Sequence, residues 1–245
     1  EVENIGHNYE EEITAPDCIN DGYTTYTCVK CGDSFIADEV ETVGHIFENG
    51  TCTACGEEYV LNGSGTETDP YTIGNLFELV FFSKSVNEGN TKYNAAGVYV
   101  ALTADIDLAS VANWAPIGNW DYSFDGNFNG NGKKIQNLTI TDGNGGYVAF
   151  FGITANNTIE NIVFENVTIT SNGEVVAAAI AYPYYTTVKN ITVCGDIAIK
   201  GTNYTAGVLG YTRLCENASN LTVSGNDGSY ITGAITVGGV IADIQ

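Results

Sequence analysis

Positive charge is scarce in this chain. Eight lysines and arginines stand against 30 acids, for a formal net charge of −22. A surface of that sign repels polyanions, which excludes nucleic acid as a partner. Long apolar runs are also missing, and nothing approaches the roughly 20 residues a helix needs to span a bilayer, so the sequence predicts no membrane insertion in this segment. Methionine is absent, and no basic stretch followed by an apolar one opens the chain. The segment reads as a mature or trimmed product.

What is present is unevenly placed. Residues 1–62 carry 14 of the acids and one base, Lys30, together with five of the seven cysteines and both histidines. Apolar residues concentrate afterwards. Two domains follow, 1–61 and 62–245, with the boundary near Leu61 to Gly65.

In the first segment Cys28-Val-Lys-Cys31-Gly32 and Cys52-Thr-Ala-Cys55-Gly56 are two C-x2-C-G turns with 20 residues between them. Glycine after the second cysteine lets backbone N–H groups approach sulfur, and two such turns complete a tetrahedral thiolate shell for zinc. His7, Cys18 and His45 remain as further ligand candidates. Disulfides would leave one of five cysteines unpaired and the histidines without a role, so structural zinc is the expectation. No H-E-x-x-H pattern accompanies the ligands, which argues against a catalytic zinc. A segment this poor in apolar residues draws its folding free energy from the metal, about 10 kcal/mol for such sites. Short hairpin strands are expected around Tyr23–Thr27, Ser34–Ala37 and Glu58–Leu61.

The unit from Gly6-His7 through Pro16-Asp17-Cys18 to Cys28-x2-Cys31-Gly32 returns, shortened, as Gly44-His45 to Cys52-x2-Cys55-Gly56. It resembles the Cys/His repeats of large bacterial surface proteins. That resemblance implies His7, Cys18, Cys28 and Cys31 as one closed set, leaving His45, Cys52 and Cys55. The seven candidates fit either one four-cysteine site with three spectators or one full site plus a three-ligand site open to water or a partner.

The second segment repeats in two phases. Ile135-Gln-Asn137-Leu-Thr-Ile140 is echoed at Ile159 to Phe164, Val188 to Val193 and Ala218 to Val223. Ala149-Phe-Phe-Gly152 is echoed by Ala178 to Ala181, Gly207 to Gly210 and Gly239 to Ala242. Short β-branched strands separated by Gly, Asn and Thr, without helical periodicity between them, predict an all-β solenoid whose stacked rungs form a parallel β-helix. Asn137, Asn161, Asn190 and Asn220 are read as one ladder, since Asn tolerates the left-handed region and its amide can bond the copies above and below. Asn75 with Glu78 forms a capping box, and Leu76, Leu79, Val80, Ser83 and Val86 predict a helix running to Gly89 that plugs the N-terminal end of the solenoid.

The small-apolar-apolar-small strand, the leading segment Gly63 to Ile73, and the blocks Leu102 to Leu108, Trp114 to Gly118 and Phe124 to Gly132 resemble the GLUG-motif proteins of bacterial surfaces. The resemblance covers residues 63–245 and implies a right-handed, pectin-lyase-like β-helix.

That fold also hosts polysaccharide lyases and glycosidases, the rival reading. Lyase action on uronates needs a cationic cleft, yet Lys189, Lys200 and Arg213 share no repeat phase. A glycosidase needs two facing carboxylates, and the nearest pair is Asp105 with Asp107. The resemblance already accounts for both as part of the first rungs, so no enzyme activity is expected. Asp125-Gly-Asn127-Phe-Asn129-Gly130 matches the start of a calcium loop, with Gln136 where the bidentate glutamate belongs. Calcium binding is compatible with this acidic chain but not specifically indicated. Trp114, Trp120, Tyr122, Tyr182, Tyr184 and Tyr185 lie in turn-like stretches. Of these, Trp114 is assigned to the core, whereas Trp120, Tyr182, Tyr184 and Tyr185 are the candidate contacts for a glycan or protein. Cys194 and Cys215 fall at different points of the coil and are not expected to be bonded. The functional expectation is a non-enzymatic, adhesin-like module of the bacterial cell surface. Its last rung breaks off at Gln245, which points to further rungs or to self-association at an open end.

Overall fold

The computed structural model describes residues 6–48, 50–141, 146–215 and 217–244. Gln245, and with it the expected break in the last rung, lies outside them. The chain divides into two compact units, Glu1–Val60 and Leu61–Gln245.

In the first unit Gly22–Cys28 is the central strand of an antiparallel sheet flanked by Tyr9–Thr14 and Ser34–Val40, and Phe47–Glu48 pairs with Thr51–Cys52. Tyr9–Thr14 gave no alternation to read because three consecutive glutamates occupy it. Those charges suit an edge strand, where they discourage pairing with another chain. The strand expected at Glu58–Leu61 does not form. Residues 57–59 instead close the second C-x2-C turn, with Cys52 N–H donating to Glu57 O and Tyr59 N–H to Gly50 O. Ile13, Ile36 and Val40 are exposed, and the buried hydrophobic residues of this unit, among those described, are Cys18, Cys28 and Cys52. The centre of the unit is sulfur rather than hydrocarbon.

The second unit is a parallel β-solenoid of about six turns with a single short helix. One sheet stacks Tyr71–Ile73, Tyr99–Leu102, Asn127–Asn129, Thr158–Thr170, Thr187–Lys200 and Asn217–Gly225. The other two stack Tyr147–Val148, Val175–Ala177, Tyr204–Ala206 and Thr236–Gly238, then Phe151–Ala155, Ile180–Tyr184, Leu209–Thr212 and Ile241–Ile244. Like residues superimpose, as in Ile162↔Ile191↔Leu221 and Phe164↔Val193↔Val223. The corner Ala149 to Gly152 is reached by an earlier copy, since Ile117 N–H donates to Phe150 O and Gly152 N–H to Ile117 O. Gly118 serves that corner at φ 80°, where a Cβ would meet Ile153 O at 2.2 Å.

Asparagine stacks in two ladders rather than one. Asn161, Asn190 and Asn220 donate in turn to Asn129, Asn161 and Asn190. Asn137 belongs to the other, donating to Asp107 and accepting from Asn166. Register explains the correction: Ile135 pairs with Phe164, so the copy of Asn137 is Asn166 and not Asn161. All five of Asn137, Asn161, Asn166, Asn190 and Asn220 sit between φ 53° and 61°, the left-handed bend where the long strands turn a corner.

The helix spans Leu76–Asn87. Glu78 N–H donates to the Asn75 side chain, and the Glu78 carboxylate returns to Gly74 N–H, one residue outside the expected box. Its buried face is Leu79, Phe82, Ser83 and Val86, while Val80, expected there, is exposed. Phe82 packs edge-on against Phe124 at 5.5 Å and lies 6.1 Å from Phe128, closing the interior of the first rungs as a plug should.

Candidate functional site

The seven Cys and His candidates gather into two sets, and the division differs from the one implied by resemblance. Cys18, His45, Cys52 and Cys55 offer ligand atoms that all lie within 4.8 Å of one another, and His7, Cys28 and Cys31 form a second set by the same measure. One full set and one three-ligand set are found, but Cys18 completes the later half of the unit. Local structure explains why. Asp17 caps the turn that carries Cys18, accepting from Ile19 and Asn20 N–H. Val43 N–H then donates to Asp17 O and Thr42 N–H to the Asp21 carboxylate, so the turn is tied to the segment leading into His45.

The spacings fit a tetrahedral ion. Zinc with Zn–S near 2.3 Å and Zn–N near 2.0 Å sets S···S edges at about 3.8 Å and S···N edges at about 3.5 Å. Cys18 Sγ lies 3.6 Å from Cys52 Sγ, and both Cys55 Sγ to His45 Nδ1 and Cys31 Sγ to His7 Nδ1 are 3.4 Å. A disulfide would need about 2.05 Å, and all seven cysteines are free thiols. Behind the four-ligand set, His45 Nε2 lies 3.2 Å from the Glu57 carboxylate, the outer partner that orients a metal-binding imidazole.

The two sets are built alike. Gly32 and Gly56 N–H donate to Cys28 and Cys52 O. Val29 and Thr53 N–H donate to Asn8 and Ile46 O, each one residue past a ligand histidine. His7 stacks on Tyr9 and His45 on Phe47, each at 5.5 Å. The backbone N–H of Lys30 holds the Cys28 thiol down at about 6, and those of Cys55 and Ala54 hold Cys52 down at about 5. Burial, with the neighbouring Cys52 and Cys55 sulfurs, pushes Cys18 up to about 12. The tight turns thus favour anionic sulfur at Cys28 and Cys52.

On the solenoid the candidate acids are already engaged. Asp105 accepts from Lys134 N–H, and Asp107 accepts from Ala109 N–H and the Asn137 amide. The Asn137 bond is the main cause holding the Asp107 carboxyl below its ordinary range. The calcium-loop pattern does not form a loop. Asn127–Asn129 is a strand, Asn127 Oδ1 accepts from Thr158 N–H, and Gln136 donates to Glu165. Cys194 faces Glu165 and Ser224 in the sheet, whereas Cys215 donates to Thr186 O, so the two sit at different points of the coil.

Tyr182 and Tyr184 lie on the strand Ile180–Tyr184 and are half-buried, which corrects the expected loop; Tyr185, at φ 48°, is the exposed turn residue. Sequence reasoning missed their neighbours. Trp120 stacks on Tyr147 at 5.9 Å, Tyr147 meets Tyr182 at 5.0 Å, and Tyr182 stacks on Tyr211 at 5.7 Å. The available signal was position, for Tyr182 and Tyr211 each follow the last residue of a small-apolar-apolar-small block. Rings stacked in this way give their faces to each other and offer edges and hydroxyls to solvent. Trp120, at the end of the row and 75% exposed, is the exception. It stands on the rim of a cavity of about 720 Å³ that Asn87, Trp114, Asn119, Asp121 and Tyr147 also line. Trp114 is buried, stacked on Phe150, with its indole N–H donating to Phe150 O.

No established protein-family model matches the chain. It is 30% identical over 167 residues to halomucin of Haloquadratum walsbyi, an alignment covering 63% of this chain and 2% of that protein. It is 28% identical over 143 residues to a protein of Evansella cellulosilytica provisionally named a Gly-rich membrane protein, covering 56% of this chain and 15% of that one. The chain therefore spans a small part of either relative. A solved chain from Bacteroides ovatus, provisionally described as an immunoglobulin A1 protease, superposes with a TM-score of 0.42 at 19% identity, over 75% of this chain and 64% of its own. Among the described residues no helix is long and apolar enough to cross a membrane.

Proposed function

We propose that the chain is a non-enzymatic, extracellular binding module of a cell-surface protein, made of a zinc-held Cys/His unit and a β-helix that binds a neutral glycan. The observation that carries this reading is Trp120, a largely exposed indole at the mouth of a 720 Å³ cavity whose wall is mostly apolar, with Trp114, Pro116 and Val148 beside Asn87 and Asn119. An exposed aromatic face over a mostly apolar cavity is the chemistry that stacks on uncharged sugars, while the net charge of −22 disfavours acidic ones. Asp105 and Asp107, the pair a glycosidase would use, are spent on rung hydrogen bonds. The GLUG resemblance and the relative named for a membrane support a surface location, and a pectin-lyase-like, adhesin-type role goes with that resemblance.

In this reading Cys18, His45, Cys52 and Cys55 hold the zinc, which neutralises the thiolates and supplies the cohesion that the missing apolar core does not. Glycan-array screening followed by calorimetry on the purified chain tests the binding role. Trp120→Ala is expected to lose binding with an unchanged melting temperature. New reducing ends released from any neutral glycan, and abolished by Asp105→Ala, would overturn it.

A further inference from the structure

The Cys/His unit contains two acceptor sites and one donor turn. Each acceptor is a histidine, an aromatic residue two positions later, and a C-x2-C-G turn, and the two share their backbone bonds and ring stacking. The donor is the Asp17-capped turn that carries Cys18. It lies in the first unit of the repeat yet delivers its sulfur to the second, 3.6 Å from Cys52. The second unit is short because it lacks this turn, with His45 seven residues before Cys52 where His7 stands 21 before Cys28. Donation thus runs forward, from one repeat into the next, and the short unit receives a thiolate but has none to pass on. By the same geometry the first acceptor, His7, Cys28 and Cys31, has no such donor among the described residues. Among the described residues its cluster stops at three ligands, two of them exposed.

We propose that His7, Cys28 and Cys31 form a second zinc site whose fourth ligand is a cysteine thiolate on a turn like that of Cys18, supplied from outside residues 6–60, so that the metal joins this unit to another. This rests on the reading of the four-ligand set as a zinc site. The donor is a turn of the same kind from another repeat, in the same polypeptide or in a partner protein, because the Cys18 turn itself is already committed to Cys52. The chemistry would be the same from either source: His7, Cys28 and Cys31 would hold the ion, and the incoming thiol, its proton released to solvent, would complete the tetrahedral shell.

The full chain loaded with cobalt(II) reports both sites through thiolate-to-metal charge transfer. Two equivalents should bind, one of them released first to a chelator. A synthetic peptide of residues 12–22, EITAPDCINDG, added in trans should raise the charge-transfer band and slow that release at least tenfold, whereas the same peptide with Cys18→Ser should do neither. Cys28→Ser should remove the responsive site and leave the other. A loaded chain that dimerises through Cys28 and no longer responds to the peptide would place the fourth ligand on a residue of this chain rather than on a donor turn from another repeat, against the proposal. A single bound metal that persists in Cys28→Ser and is lost in Cys52→Ser would sink this proposal while leaving the structural zinc intact. No bound metal at all would sink both. Two metals with equal release rates and no response to the peptide would show that the first site closes from within the chain, also against the proposal.

Discussion

Replacing Asn161 by alanine separates the two roles that the ladder asparagines combine. Asn161 sits at φ 59°, donates to Asn129 Oδ1 at 3.0 Å and accepts from the Asn190 amide at 2.7 Å. Alanine at this φ costs about 1 kcal/mol of backbone strain that asparagine largely escapes. The two lost amide bonds are half-exposed and contribute about 0.5–1 kcal/mol each. The sum is about 2–3 kcal/mol, which for a unit of this length lowers the melting temperature by about 5–10 °C. Asn161→Gly keeps the backbone relaxed and loses the bonds, so it should cost about 1 kcal/mol less than alanine. Asn172→Ala, at an exposed position outside both ladders, should stay within about 0.5 kcal/mol of the parent. Thermal unfolding followed by far-ultraviolet circular dichroism reads all three. Glycine proving as harmful as alanine, or alanine proving neutral, would refute the reasoning about left-handed corners.

Three further outcomes follow from packing and charge. Phe150→Ala empties the ring sandwiched by Trp114, Phe151 and Phe164 and should cost about 3–5 kcal/mol by denaturant titration; a loss below 1 kcal/mol would mean the interior is not close-packed there. Asp107 and Glu165 are held below their ordinary values of 3.8 and 4.5, chiefly by the bonds from Asn137 and Lys134, so their contribution is complete above those values and is lost as pH falls through the depressed folded ones. Because acid also relieves self-repulsion in a chain of charge −22, the measure is the difference between the parent and the Asp107→Asn, Glu165→Gln variant, which should shrink on acidification; a constant gap would contradict the assignment. Stripping metal with a chelator at neutral pH should collapse the amide dispersion of residues 6–60 in a nitrogen-correlated spectrum and leave the solenoid signals in place, and an unchanged spectrum would show that sulfur alone holds the unit.

Much of the solenoid was legible in the chain because stacking forces each rung to repeat the same residue at the same corner. Asn161, Asn190 and Asn220 declare the ladder by recurring at 29 and 30 residues, and the glycine and alanine blocks declare the corners for the same reason. The step of 24 from Asn137 to Asn161 was the warning that two bends of similar sequence occur in each turn; only strand register, Ile135 against Phe164, assigns Asn137 to its own ladder. The aromatic row needed coordinates too, since Trp120, Tyr147, Tyr182 and Tyr211 meet across rungs and come from four separate segments of the coil. In the Cys/His unit the candidate ligands were legible by residue type, because cysteine pairs on tight glycine turns beside histidine are the donors a metal site uses. Which of them cluster together was not, because the turn of Cys18 is tied through Asp17 and Asp21 to the N–H groups of Val43 and Thr42, and a contact made across 34 residues to Cys52 leaves no periodic trace for a sequence to show.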